Sequence, residues 1–262
     1  MPAKRSRYDE GHWLRSSDRE AALRACLEQQ SKAYSKVKTR HIMELLGDLR
    51  GARFLDYGCG AGFFTVLVAK AGAASVVAVD AEAEALSTAR YFAAREGVEE
   101  HCLFIRSLRF PSLLPQARFA VILLKDVIEH VEEDVALLQS AADSLAPGGS
   151  ILLSTQNKMS LNYMIEGTYH RIVRGEKNWC GWDPTHLRFY TPRTLEERMR
   201  KAGLKCIEWR SAYILPYKLP PLPFSKGRFF RIEGLSMLDS TLGGKFPFNR
   251  FGWNITVKAI KA

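Results

Sequence analysis

A short apolar run that leads directly into three alternating glycines constrains this chain more than any other feature. Phe54–Tyr57 is hydrophobic except for Asp56, and Gly58, Gly60 and Gly62 follow it at once. Glycine has no Cβ, so the backbone can turn sharply there and a ligand can approach it closely. A helical pattern comes next, and the amino end of a helix attracts polar and anionic groups. The segment therefore predicts a strand, a tight turn and a helix that together hold a small ligand.

A second acid lies where a nucleoside would need it. Asp80 ends the next apolar run, about 20 residues after the glycines, and a carboxylate there can accept hydrogen bonds from both ribose hydroxyls. A dinucleotide fingerprint would need glycine at position 63, where Phe63 stands, and a P-loop would need Gly-Lys-Ser/Thr, which is absent. The pattern thus disfavours both nicotinamide dinucleotides and nucleoside triphosphates.

Apolar runs and helical patterns alternate strictly through the chain, which is typical of a parallel sheet covered on both faces. The predicted strands are Arg53–Tyr57, Ser75–Asp80, Cys102–Arg106, Phe119–Lys125, Ser150–Thr155, Cys206–Tyr213 and Trp253–Ile260. The predicted helices cover residues 62–71, 82–96, 133–146 and 192–202. Before them a long helix, broken once, is predicted, with a capping box at Ser17–Glu20. Pro147–Gly149 are predicted to end the fourth helix.

Length and composition fit one large globular domain with appendages. Of the 262 residues, 47% are hydrophobic and 25% are charged, and no apolar stretch approaches the ~18 residues that a membrane-spanning helix needs. The first residues lack the apolar segment of a secretory signal. The five cysteines are odd in number and form no Cys-x-x-Cys pair, which predicts reduced thiols in a cytoplasmic protein.

Together these motifs resemble the class I S-adenosylmethionine-dependent methyltransferases, over about residues 34–213 and the last strand. The resemblance implies an α/β, Rossmann-like, doubly wound sheet of seven mostly parallel strands with an antiparallel last strand. It also implies that Asp56 and the glycine turn hold the methionine part of S-adenosylmethionine and that Asp80 holds its ribose.

Two basic residues and two departures complete this expectation. Lys125 lies where family members pass the cofactor closely, and Lys38 lies where a basic residue of the relatives touches the methionine carboxylate. Ser107 stands where an acid commonly meets the adenine amine, and Ala120 replaces an aspartate before the fourth strand. The expected cofactor-binding residues are Lys38, Asp56, Gly58, Gly60, Gly62, Asp80, Ser107 and Lys125.

Acids and imidazoles cluster after the fourth predicted strand. Asp126, Glu129 and His130 fall three and four positions apart, so one helical turn could present all of them at the carboxyl edge of the sheet. His186 could add a fourth ligand or act as general base. Oxygen ligands favour Mg²⁺ among divalent cations. We therefore expect these four residues to be metal ligands and His130 or His186 to be the catalytic base.

The same cluster resembles the ubiquinone-biosynthesis O-methyltransferases and their relatives. The shared elements are the acid-x-x-Glu-His segment, Thr185-His186, Phe189 and the helix that starts at Pro192. In some of those relatives the constellation holds a metal that grips two neighbouring hydroxyls of the acceptor. In others the Glu-His pair caps a helix or pairs with an arginine, without a metal. Both alternatives stay open for this chain.

Basic and aromatic residues dominate the second half of the chain. Residues 51–155 carry 13 acidic and 8 basic side chains, whereas residues 156–232 carry 6 acidic and 15 basic ones. Residues 159–182 are predicted to form one amphipathic basic helix, of the kind that can lie on an anionic membrane surface. A basic surface suits membrane, nucleic acid or a phosphorylated ligand equally well.

The predicted organisation is a helical extension or lid over residues 1–50 and a methyltransferase domain over residues 51–262. Acceptor-side insertions are predicted at 159–190 and 214–250. We expect O-methylation of a small aromatic or lipid-like acceptor, in the cytoplasm and, for a lipid-like acceptor, at the inner face of a membrane. The alternatives are N-methylation, an RNA acceptor, disfavoured because no RNA-binding module is present, and a regulatory protein without turnover. The oligomeric state stays open.

Overall fold

The computed structural model describes residues 8, 9, 11–110, 118–177, 179, 181, 183, 185–215, 218, 219, 230, 231 and 233–262. The strands are β1 (Arg53–Tyr57), β2 (Ser75–Asp80), β3 (Cys102–Arg106), β4 (Phe119–Lys125), β5 (Leu145–Gln156), β6 (Leu204–Ala212), β7 (Lys218–Leu219), β8 (Phe230–Arg231) and β9 (Asn254–Lys261). The α-helices are α1 (Arg19–Ser31), α2 (Ala33–Leu46), α3 (Phe63–Lys70), α4 (Ala83–Arg95), α5 (Asp134–Asp143), α6 (Leu161–Thr168), α7 (Pro192–Lys201) and α8 (Ser236–Leu242).

Seven of these strands form one sheet in the order β3-β2-β1-β4-β5-β9-β6. The pairs from β3 through β5 are parallel, and β9 lies antiparallel between β5 and β6. The predicted α/β fold with an antiparallel last strand is therefore confirmed. Because β1, β2, β4 and β5 run in one direction, their carboxyl ends meet at one edge of the sheet, where such folds bind ligands.

Neighbouring residues of the central strands enter opposite layers of the core. In β1, Phe54 packs with residues of α2, α3 and α4, whereas Leu55 packs with residues of α5 and α7. Leu123 and Leu124 of β4 divide in the same way, and all four side chains are fully buried. Side chains of a strand alternate between its faces, so a strand covered on both sides must be apolar throughout. The continuous apolar runs in the sequence reflect this burial.

The broken amino-terminal helix is confirmed, but its cap lies one residue later than the predicted capping box. Asp18 caps α1, and its carboxylate accepts hydrogen bonds from the backbone N–H groups of Glu20 and Ala21. Asp18 and Ser17 are both good cap residues, so the sequence pattern alone favours neither position. The helix interrupts at Lys32, and α2 continues against the sheet.

Two further predictions about local structure were wrong. The fourth helix ends at Asp143, and β5 starts at Leu145, so Pro147–Gly149 lie within a strand that contains a register shift. The segment 159–182 is not one helix, because α6 continues only through a π-helical turn, Tyr169–Val173. The chain then folds back, and the Trp179 ring stacks on the His170 ring with their centres 4.9 Å apart. This return contact depends on packing that the helical pattern does not encode.

The region after β6 also contains regular structure. Asp239 of α8 is fully buried and accepts hydrogen bonds from the backbone N–H groups of Tyr213 and Ile214. Lys258 of β9 donates to the backbone oxygen of Leu45, so α2 is joined to the sheet as well. Among the described residues, no helix is both long enough and apolar enough to cross a membrane.

Candidate active site

A cavity of about 350 Å³ lies at the carboxyl edge of the sheet. Its walls come from the glycine turn after β1 and from the ends of β2, β4 and β5. Two segments far away in sequence complete it: His12, Trp13 and Leu14 precede α1, and Asp183 and His186 precede α7. The volume is within the range of about 300–1,000 Å³ that is usual for small-molecule sites.

The glycine turn holds the acid at the end of β2 in place. The backbone N–H of Gly60 donates to Asp80 Oδ2 at 2.8 Å, and the backbone N–H of Glu82 donates to Asp80 Oδ1 at 3.0 Å. Gly58 has a φ of 80°, and a Cβ at this position would collide with the side chain of Val127. Only glycine fits this close approach. The predicted residues Gly58, Gly60, Asp80 and Ser107 all line the cavity, whereas Gly62 lies behind it, against α4.

Asp56 lies at the base of the cavity and is only 3% exposed. Thr65 Oγ1 donates to its Oδ2 at 2.7 Å. Burial raises the pKa of Asp56 to about 6, although the hydrogen bond from Thr65 and the charge of Lys125 oppose the rise. Asp56 thus keeps a carboxylate beside the turn at a cost to the ligand-free fold.

Two lysines meet at Asp126, at the junction of β4, α2 and β5. Lys38 Nζ lies 2.7 and 2.6 Å from the two oxygens of Asp126, and Lys125 Nζ lies 2.8 Å from Oδ2. Ser154 Oγ donates to Oδ1 at 3.2 Å. Burial opposes ionisation of Asp126, but the two ammonium groups outweigh it and hold its pKa well below the usual range. Lys125 and Asp126 line the cavity, whereas Lys38 does not.

A second cluster lies deeper in the cavity. One donor atom from each of Glu129, His130 and His186 lies within 4.8 Å of the other two. Asp126 is outside this cluster, since the two lysines hold its carboxylate. The four predicted metal ligands are therefore not brought together as one set.

Two atoms of this cluster are buried and have no hydrogen-bond partner among the described residues: Glu129 Oε1 and His186 Nδ1. Glu129 is 1% exposed, and Thr155 donates to its other oxygen at 2.9 Å. Burial, with a further contribution from Asp126, raises the pKa of Glu129 to about 8. Burial also lowers the pKa of His186, although Asp183 opposes this. Buried polar atoms are rarely left unsatisfied, so the pair indicates a place for a cation or a donor from a ligand.

Asp183 is the main residue of the site that sequence analysis missed. Its Oδ1 accepts hydrogen bonds from the backbone N–H and the hydroxyl of Thr185, at 2.8 and 2.6 Å. Thr185 Oγ1 in turn lies 3.2 Å from His130 Nδ1, and Asp183 Oδ2 lies 3.5 Å from His186 Nε2. The Asp-x-Thr-His spacing was a usable signal, because aspartate often bonds to groups two residues ahead. His12 gave no signal, and it reaches the cavity only through tertiary packing.

Comparison with known proteins agrees with this geometry. A family model described as a methyltransferase domain matches residues 27–208. The chain belongs to this methyltransferase family. It is 33% identical over 167 residues to an Ubiquinone biosynthesis O-methyltransferase of Neisseria meningitidis serogroup C (strain 053442), and the match covers 60% of this chain and 65% of that protein. The chain thus spans slightly less than two thirds of this relative.

Solved structures show that the methyltransferase shares its fold with other proteins. A S-adenosylmethionine dependent methyltransferase from Mesorhizobium loti has a TM-score of 0.57 and 16% identity, covering 88% of this chain and 98% of that one. The magnesium protoporphyrin IX methyltransferase of Synechocystis PCC 6803, solved with bound SAH, has a TM-score of 0.55 and 15% identity, covering 98% and 91%. At these identities the likeness concerns the fold alone.

We predict that Asp56→Asn stabilises the ligand-free methyltransferase at neutral pH. The pKa of Asp56 is about 6 in the fold against an ordinary 3.8, so the ionised group destabilises the folded state above pH 6. By linkage the cost is about 3 kcal/mol there, and it fades as the pH falls from 6 to 4. Melting temperatures measured across this range should show a gain for the variant that disappears in acid.

The exposed carboxylate of Asp143 offers a matched control. Asp143→Asn should leave the pH profile of the melting temperature unchanged. An Asp56→Asn protein that melts below the wild type at pH 7.5 would show that ionised Asp56 is not a burden to the fold.

Proposed function

We propose that this protein is an S-adenosylmethionine-dependent O-methyltransferase acting on a small aromatic or lipid-like acceptor with a hydroxyl group. One observation carries the proposal: a single cavity joins the glycine turn and Asp80 to the cluster of Asp183, His130 and His186. The first group suits a nucleoside, and the second suits removal of a proton from a hydroxyl. The name of the Neisseria relative supports the same reaction class.

The cavity fits the cofactor chemically. Each oxygen of Asp80 accepts one backbone hydrogen bond and keeps a further lone pair for a ribose hydroxyl. Ser107 and Leu108 line the wall beside it and offer a place for the adenine. When bound, S-adenosylmethionine supplies a methyl carbon activated by a sulfonium. The residues before α1 close one side, since a Cβ at Gly60 would lie 3.6 Å from Leu14, and we propose that they act as a lid that excludes water.

His186 is suited to act as general base. Burial lowers its pKa, so the imidazole is neutral near pH 7 and can accept a proton. The carboxylate of Asp183, 3.5 Å from Nε2, orients the ring and stabilises the cation that forms. His130 is held through Thr185 at the same wall, with its ring centre 4.7 Å from that of His186. An acceptor hydroxyl placed between these rings and the methyl group would be aligned for in-line transfer.

The first test is calorimetric titration of S-adenosylhomocysteine into the wild type and into Asp80→Asn. We expect micromolar-range binding by the wild type and a loss of at least about tenfold in the variant, because two hydrogen bonds to a charged acceptor are weakened. Asp143→Asn serves as the control and should bind like the wild type. Absence of binding by well-folded wild type would reject the enzyme and favour a regulatory protein.

The donor set also supports a bound cation, but not the predicted Mg²⁺. Two imidazoles and one carboxylate suit Zn²⁺, Mn²⁺ or Fe²⁺ better than Mg²⁺, which prefers oxygen ligands. We propose that Glu129, His130 and His186 hold such a metal, and that it would orient the acceptor oxygen and lower its pKa.

Metal titrations can test this assignment. Calorimetry with Mn²⁺ and Zn²⁺ should show tighter binding than with Mg²⁺, and His186→Ala should lose it by about 10-fold or more, since one of three ligands is removed. His101→Ala removes an exposed histidine outside the cavity and should change nothing. Equal binding by the wild type and His186→Ala would leave His186 as a base without a metal.

The surface beside the site supports a lipid-like acceptor. Met164, Ile172 and Val173 are 53%, 76% and 70% exposed, and Arg171 and Arg174 flank them. Exposed apolar side chains beside basic ones suit an anionic bilayer surface. We propose that this face makes peripheral contact with a membrane.

Vesicle flotation provides the measurement. The double variant Ile172→Ser, Val173→Ser should bind vesicles that contain phosphatidylglycerol about tenfold less than the wild type, because two apolar side chains no longer enter the bilayer. Met237→Ser, at an equally exposed position on α8, is the matched control. A wild type that does not bind these vesicles would favour an acceptor that is free in solution.

A further inference from the structure

Lys125 and Lys38 differ in what they can reach, although both contact Asp126. The side chain of Lys38 is 7% exposed, its ammonium lies against both oxygens of Asp126, and it does not line the cavity. The side chain of Lys125 is 24% exposed, contacts one oxygen of Asp126, and lines the cavity. An ammonium has three donors, so Lys125 keeps donors for a ligand, whereas Lys38 does not face one.

The surroundings of Lys125 place it at one end of the cavity. Its ammonium lies 5.9 Å from the ring centre of Phe64, in the first turn of α3. Cys26, Gln29 and Gln30 of α1 line the same cavity. Asp80 and Ser107, which suit the nucleoside, follow strands β2 and β3 on the other side of β1. Lys125 follows β4, so the cation and the ribose-binding acid lie on opposite sides of the glycine turn.

The charges leave a positive excess at this end. Asp126 carries one negative charge between two ammonium groups, so the three side chains together carry one uncompensated positive charge. Lys38 is buried with its partner and satisfies that carboxylate. The charge that remains for a ligand is therefore at Lys125, where a ligand carboxylate would form a charge-assisted hydrogen bond.

We propose that Lys125 binds the carboxylate of the cofactor's amino-acid moiety, and that Asp126 and Lys38 are positioning residues that fix its ammonium. The proposal rests on the proposed function and corrects the expectation that Lys38 makes this contact. Asp126 adopts a φ of 54°, which is uncommon outside glycine. That conformation, held by the lysines and by Ser154, turns the carboxylate back toward β5 and keeps Lys125 extended along the cavity wall.

Two probes separate recognition of the amino-acid moiety from recognition of the nucleoside. S-adenosylhomocysteine has both parts, and 5′-methylthioadenosine has the same nucleoside and thioether without the amino-acid part. Calorimetry of the full chain should show tighter binding of S-adenosylhomocysteine to the wild type. Lys125→Met should weaken that binding by about 10- to 100-fold, the range of a lost charge-assisted hydrogen bond, and leave methylthioadenosine within about twofold.

Companion variants keep the outcome clear. Lys125→Arg should retain most of the affinity for S-adenosylhomocysteine, and Lys70→Met, which removes a lysine ion-paired to Glu96 outside the cavity, should match the wild type. If Lys38→Met, folded by its melting curve, abolishes the preference for S-adenosylhomocysteine while Lys125→Met preserves it, Lys38 is the ligand and the proposal is overturned. An equal affinity of the wild type for both probes also overturns it. A wild type that binds neither probe refutes the proposed function itself.

Discussion

The ion pair system of Asp126 connects the parts of the protein that build the cavity. Its carboxylate joins Lys38 of α2, Lys125 at the end of β4 and Ser154 of β5. Removing one partner of a buried ion pair leaves an uncompensated charge, which commonly costs about 3–5 kcal/mol. The amino-terminal helices are thereby attached to the carboxyl edge of the sheet, with the residues before α1 placed over the glycine turn. The shape of the cavity depends on this attachment.

The buried carboxylates of the site have different tasks, because their surroundings differ. Two lysines keep Asp126 ionised, whereas burial raises the pKa of Asp56 to about 6 and that of Glu129 to about 8. Titratable groups shifted in opposite directions within one cavity are typical of functional sites. The fold tolerates these groups because the central strands around them are packed on both faces. The site is thus polar and partly unsatisfied, inside a core that is neither.

The sequence predicted the fold closely where a pattern has a direct physical cause. The apolar runs of β1 and β4 are buried on both faces, and the predicted bounds of β1, β2, β3 and β4 agree with the structure. Gly58 and Asp80 were found because close backbone approach and strand-end acids leave a local pattern. Local structure failed where packing competes with propensity. The segment after α6 folds back through the stacked rings of His170 and Trp179, and a helical pattern carries no information about that contact.

By itself, the sequence determined the parallel sheet, the glycine turn, the strand-end acid and the family, since each depends on residues close together in the chain. Only the tertiary structure decided how the charged residues divide. Asp126 and Glu129 are three positions apart, yet one binds lysines and the other faces two imidazoles. His12, Asp183 and His186 meet because separate segments cross the same sheet edge. Charge partners are chosen by distance in space and by burial, and neither can be read from spacing along the chain.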